Sequence, residues 1–155
     1  MGAWGMAPFQ NDRAVDLLEE LGELDTVART LRIREVFMEG INSDSDDAPL
    51  AFEVVAAAAL IGIILPGGLA LDRDLPEGDE RLTSCIDPED EGYATDDWRP
   101  ALLRSPGPEL IELAIAAVRH VTGMDSQWRD VWGGNRDRAI EEMQKVLAIL
   151  EAAVR

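Results

Sequence analysis

The sequence has little of the chemistry on which many enzymes and disulfide-stabilised proteins depend. It contains one cysteine, Cys85, and one histidine, His120. A single cysteine cannot form an intrachain disulfide, which excludes the scaffold typical of small secreted proteins. No Cys/His zinc cluster, Walker loop or pattern of the GxSxG, HExxH or GxGxxG type is present. We therefore expect no cofactor, and the sequence names no catalytic residue.

Positive charge is also scarce. The 155 residues carry 31 acidic and 14 basic side chains, which gives a net charge of −17. Such a surface repels nucleic acid and anionic membranes, so we expect neither as a partner. Residues 72–97 alone hold 11 acidic side chains against two arginines. A segment this acidic is suited to a basic protein partner.

The longest uncharged run is too short and too interrupted to predict a membrane span. Residues 54–71 carry no charge, but Pro66, Gly67 and Gly68 break the run. Both flanks are acidic, which gives no positive-inside signal. We interpret the run as a buried core helix. The start of the sequence shows no basic, long-apolar signal pattern, so a cytoplasmic location is expected.

Helical spacing of apolar residues predicts three helices in the first half. Asn11 or Asp12, then Asp25, then Asp47 are typical N-caps. The second helix is expected to run to about Glu39, with Gly40 as its stop. The first two helices carry apolar residues at helical spacing, namely Ala14, Leu17, Leu18, Leu21 and Leu24 in the first and Val27, Leu31, Val36 and Phe37 in the second.

The second half shows the same periodicity. A helix is predicted from residues 105–109 to Gly123, and Asp125 is expected to cap a short helix. The last helix repeats apolar residues at Ile140, Met143, Leu147, Leu150 and Val154. No run alternates with a period of two. We predict one all-α domain over residues 1–155, an irregular bundle of five or six helices with a long, acidic, largely irregular loop at residues 66–100.

Three motifs resemble a bacterial family known as domain of unknown function 4259. They are Met-Gly-x-Trp-Gly with Phe-x-Asn-Asp-x-Ala-x-Asp at residues 1–16, an alanine-rich segment at residues 53–60, and Trp-Arg-x-x-Trp at residues 128–132. The sequence departs from the family pattern at Met6 and Ala7, and its acidic stretch at residues 79–97 is longer. The family has no established activity, so the resemblance implies no catalytic residue.

Tryptophans are candidate partner-binding residues because exposed tryptophan is a favoured interface anchor. Trp4 either binds a partner or holds the start of the chain against the bundle. Trp128 and Trp132 are four residues apart and share a helix face. They either pack between helices or form a binding groove together with Arg129.

One loop has part of the spacing of a calcium site. Asn42, Asp44, Asp46 and Glu53 occupy positions 1, 3, 5 and 12 of an EF-hand-like loop. However, Asp47 stands where the tight turn needs glycine, and Pro49 removes a backbone donor. Helix capping explains the same residues equally well.

These observations favour a protein-binding or regulatory protein, and an immunity- or antitoxin-like inhibitor of a basic partner is its most concrete form. The expected contacts are acids of the central segment, Asp87, Glu89, Asp90 and Glu91. One alternative is an acid-pair or metal-dependent hydrolase with an unidentified site. A second alternative is a self-associating structural module, a homodimer formed by the apolar side of the last helix and the face of Trp128 and Trp132.

Overall fold

The computed structural model describes Pro8 and residues 11–43, 47–65 and 107–155. These residues contain six α-helices and no β-strand, which confirms the all-α prediction. The helices are α1 (Asp12–Gly22), α2 (Thr26–Ile41), α3 (Ala48–Ile63), α4 (Pro108–Val121), α5 (Gln127–Asp130) and α6 (Arg136–Ala153), with a 3-10 turn at Gly133–Asn135 before α6.

Side-chain caps begin the first three helices where the sequence predicts them. The side chains of Asn11, Asp25 and Asp47 each accept a hydrogen bond from the backbone N–H three residues later, at 2.8, 2.8 and 3.0 Å. The prediction for α5 is wrong by one residue. Its N-cap is the buried Ser126 rather than the exposed Asp125, because the Ser126 hydroxyl is the group that reaches the N–H of Arg129.

Helix α3 lies at the centre of the packing. Twelve of its 16 residues are buried, and it contacts α1, α2, α4, α5 and α6. A helix this apolar has to be largely enclosed, since an open side would expose hydrocarbon to water. Across the described residues, no helix has the length and apolar character needed to cross a membrane.

Gly40 does not stop α2, contrary to the sequence-based prediction. The helix continues to Ile41, and Gly40 is buried within it. A Cβ atom at this position would lie 2.7 Å from Val54 Cγ2 of α3 and 3.4 Å from Val121 Cγ1 of α4. The missing side chain therefore lets α2 approach both helices closely.

The two apolar sides of α2 meet different surroundings. Ile33, Val36 and Phe37 are fully buried, on the side that packs against α3 and α4. Val27 and Leu31 instead remain 47% and 57% exposed. Of the four apolar residues expected for this helix, only Val36 and Phe37 enter the core.

Hydrogen bonds between described residues connect the first half of the chain to the second. The backbone N–H of Ala48, at the start of α3, donates to Gln127 Oε1 of α5 at 3.3 Å. His120 Nε2 of α4 lies 2.8 Å from the carbonyl oxygen of Ser43, just after α2. Because α3 also packs against α4 and α6, the halves of the chain share one hydrophobic core.

Candidate functional site

The predicted tryptophan face exists, and it packs inside the protein. Trp128 is 2% exposed, and its ring meets Trp132 edge-on at a centroid distance of 6.0 Å. Trp132 in turn meets Phe52 of α3 at 5.7 Å with the rings nearly perpendicular. Edge-to-face contacts of this kind stabilise a core beyond the area they bury. The cluster fixes α5 against α3 and leaves Trp128 no exposed surface to offer a partner.

A water-sized cavity of about 10 Å³ adjoins this aromatic cluster. Its walls include Phe52, Trp128 and Trp132 together with Asn11 of the first cap. The indole Nε1 of Trp132 is buried without a hydrogen-bond partner in the described structure. One ordered water fills a space of this size, whereas an organic ligand needs a pocket of several hundred Å³.

Arg129 closes the end of a helix. Its Nε donates to the carbonyl oxygen of Thr122 at 2.8 Å, where α4 terminates. Arg29 likewise caps the end of α1, since its Nε donates to the carbonyl oxygen of Leu21 at 2.9 Å. This arginine is buried, at 4% exposure. Cations satisfy the last carbonyl groups of a helix and interact favourably with its dipole. Sequence reasoning missed Arg29, although Arg29, Ile33 and Val36 share one side of α2.

Several candidate residues lie outside the described residues, namely Trp4, Asp44, Asp46, Asp87, Glu89, Asp90 and Glu91. Of the calcium candidates, Asn42 is exposed at the C-cap of α2, and Glu53 forms an ion pair with Arg13 of α1 at 3.0 Å. Within the ranges that the structure describes, no three His, Cys, Asp or Glu side chains are grouped to hold a metal ion.

Ion pairs connect the outer sides of α1, α2 and α3. Arg32 of α2 contacts Glu20 of α1, and on its own helix it approaches Glu35 and Glu39 at 3.7 and 3.8 Å. The hydrogen bond to Glu20 is the main reason that the pKa of Arg32 is raised. The network therefore connects α1 to α2 through Arg32.

Glu53 is the charged residue of the central helix. Burial raises the pKa of this carboxyl above its ordinary value, although the nearby charges of Arg13 and Arg32 act in the opposite direction. An acid-pair hydrolase instead needs two carboxyl groups whose pKa values are pushed apart. In this structure, the carboxylate of Glu53 is paired with Arg13 of α1.

The exposed surfaces of α1 and α2 differ in character. The solvent side of α1 is acidic, with exposed Asp12, Asp16, Glu19, Glu20 and Glu23. The solvent side of α2 carries the exposed apolar residues Val27, Leu31 and Met38. A shallow groove on α2 is lined by Leu31, Arg34, Glu35, Met38, Glu39 and Asn42.

The described residues form an all-α bundle around a compact apolar core, and the exposed side of α1 is acidic. The chain belongs to the family described as Domain of unknown function (DUF4259), whose family model matches residues 2–145. The family resemblance predicted from the sequence is confirmed. No curated protein and no solved structure matches the chain significantly.

Proposed function

We propose that this protein acts by binding a basic protein partner, as an inhibitor of the immunity or antitoxin kind. The observation that supports this most directly is the acidic side of α1, formed by the exposed residues Asp12, Asp16, Glu19, Glu20 and Glu23. Two arginines beside this side of α1 are engaged in ion pairs, Arg13 with Glu53 and Arg32 with Glu20.

The physical basis is electrostatic complementarity. Acids at positions 12, 16, 19 and 23 follow helical spacing, so they point in similar directions along one side of α1. A concentrated negative field attracts a basic surface and accelerates its association. Enzymes that act on nucleic acids bind their substrates with such basic surfaces. An acidic helix bound there would exclude the substrate by occupying its site.

The acids of the central segment would extend the same surface chemistry. Residues 72–97 hold 11 acidic side chains and two arginines, and these acids include Asp87, Glu89, Asp90 and Glu91. Their contribution to binding is separable from that of α1 because each group of acids can be neutralised independently.

The test is capture from native lysate with a tag at the carboxyl end, comparing four forms of the full chain. The first is wild type, and the second is Asp16→Asn/Glu19→Gln/Glu23→Gln. The third is Asp125→Asn/Glu112→Gln/Glu141→Gln, a control that removes the same number of exposed charges from the other half of the chain. A variant in which Asp87, Glu89, Asp90 and Glu91 are neutralised measures the contribution of the central segment.

We expect wild type and control to capture the same basic protein and to release it at high salt. Removing the α1 acids should weaken that binding roughly tenfold, because steering charges mainly govern the association rate. Circular dichroism checks that every form is helical. The proposal fails if no basic protein is captured by wild type, or if the α1 variant and the control bind it equally well.

A further inference from the structure

We propose that the cavity beside the aromatic cluster binds one structural water molecule. This water accepts a hydrogen bond from the indole Nε1–H of Trp132 and donates to two oxygen atoms at the cap of α1, Asn11 Oδ1 and the carbonyl oxygen of Pro8. It thereby joins the start of α1 to the turn between α5 and α6. The inference concerns the interior of the bundle and does not depend on the proposed function.

The donor at this site is an indole nitrogen without a partner. Trp132 Nε1 is buried, and it forms no hydrogen bond within the residues that the structure describes. An indole N–H can only donate, so only an acceptor satisfies it. A buried donor left unpaired loses its hydration without compensation, and native proteins satisfy nearly all such groups through protein atoms or ordered water. Trp132 therefore indicates an acceptor in its immediate surroundings.

The neighbouring cavity has the size of one water molecule. Its volume of about 10 Å³ lies near the minimum that holds a single water. Apolar side chains such as Phe52, Trp128 and Met143 form most of its wall, and a wholly apolar cavity stays dry. Trp132 and Asn11 belong to the same wall and supply polar atoms. The cavity therefore meets both requirements for a buried water, namely space and polar partners.

The acceptors lie at the cap of α1. Asn11 and Pro8 both line the cavity, and Asn11 is only 3% exposed. Asn11 Oδ1 accepts the capping hydrogen bond from the N–H of Ala14 at 2.8 Å, and the carbonyl oxygen of Pro8 accepts one from Asn11 Nδ2 at 3.3 Å. Each oxygen has two lone pairs, so each can accept a second hydrogen bond. With the Trp132 donor, the water makes three hydrogen bonds, which is the typical number for a buried water.

The water connects parts of the chain that are distant in sequence. The cavity wall contains Asn11 from before α1, Val55 from α3, and Trp128 and Trp132 from the segment after α4. These residues come from the three stretches that carry the family resemblance. A water at their meeting point satisfies the indole N–H that the packing of the aromatic cluster leaves unpaired. The aromatic cluster and the cap of α1 therefore stabilise each other.

The first experiment observes the water by NMR on the full-length, ¹⁵N-labelled protein. The chain has four tryptophans, and the indole signal that disappears in Trp132→Phe belongs to Trp132. This N–H should show NOE and ROE cross-peaks of opposite sign at the water frequency, as expected for a water that tumbles with the protein. Its exchange with D₂O should be slow. A missing water cross-peak, or exchange as fast as that of a free indole, overturns the proposal.

The second experiment tests whether the cap of α1 supplies the acceptors. Asn11→Ser keeps a capping oxygen, but its shorter side chain withdraws from the cavity and loses the hydrogen bond to Pro8. Exchange of the Trp132 N–H should accelerate roughly tenfold, because the water loses a hydrogen bond. Asp25→Ser is the matched control and should leave this exchange unchanged, since Asp25 caps α2 in the same way and does not line the cavity. Circular dichroism verifies folding. Equal exchange rates in the two variants would show that the water does not bind the cap.

Discussion

Helices α2 and α3 have the same length and opposite environments. Each contains 16 residues, yet α3 buries twelve of them and α2 only five. Helix α3 contacts five other helices, so its apolar residues are required to complete the core. The outer apolar residues of α2 are exposed to solvent, although their spacing in the sequence is that of core residues.

The difference separates residues that maintain the fold from residues that are available for recognition. Removing a side chain from α3 leaves a cavity, because its neighbours are held by other contacts. Removing a side chain from the outer side of α2 creates no cavity, because that side faces solvent. An apolar residue that does not stabilise the monomer and still faces water is a reasonable anchor for a partner.

The strongest test of this contrast replaces the same residue type on each helix. Leu60 of α3 is fully buried, whereas Leu31 of α2 is 57% exposed. We expect Leu60→Ala to lower the free energy of unfolding by about 3 kcal/mol through lost burial and a residual cavity. Leu31→Ala should change it by less than about 0.5 kcal/mol. Urea denaturation of dilute protein measures both, and equal losses would contradict the assignment of the two helices.

Gly40 tests how closely the two helices approach. A Cβ there would lie 2.7 Å from Val54 Cγ2, and a β-branched valine cannot easily rotate away. We expect Gly40→Ala to destabilise the fold by about 1–3 kcal/mol despite the better helix propensity of alanine. Gly134→Ala is the control, since a Cβ at Gly134 meets nothing within 4 Å. Thermal unfolding compares them, and a stabilised Gly40→Ala protein would show that α2 is free to move.

The smallest expected effect concerns Glu53 and pH. Burial raises the pKa of Glu53 from its ordinary value of 4.5, so just above that pH the folded protein binds more protons than the unfolded chain. Stability should therefore fall as the pH rises from 4.5 through the higher folded pKa. Glu53→Gln should reduce this fall, whereas Glu112→Gln on the exposed side of α4 should preserve it. Urea denaturation across this range checks the slope, and identical slopes would show that Glu53 is not desolvated.

Features set by neighbouring residues in the chain could be predicted from the sequence. Asn11, Asp25 and Asp47 are caps because their side chains reach an N–H three residues ahead, which is a local geometry. The shared face of Trp128 and Trp132 likewise follows from their spacing of four residues.

Features set by distant residues could not be predicted. From the sequence alone, Gly40 looks like the end of a helix, whereas in the structure it gives Val54 of α3 room to approach α2. Val27 and Leu31 look like core residues, but α3 and α4 pack against the opposite side of α2 and leave both exposed. The aromatic cluster needs Phe52, which is 76 residues before Trp128. Periodicity shows that a helix has an apolar side, whereas only the packing shows which side is used.

The central position of α3 has a consequence for synthesis of the chain. Its partners α4, α5 and α6 follow it in sequence, and the last of them ends at Ala153, 90 residues after Ile63. At about 5–20 residues per second, a ribosome needs roughly 5–20 s to make them. During that time, the side of α3 that they cover is open on the nascent chain. Helix α3, with twelve of its 16 residues buried in the folded chain, therefore completes its burial only after α6 has been synthesised.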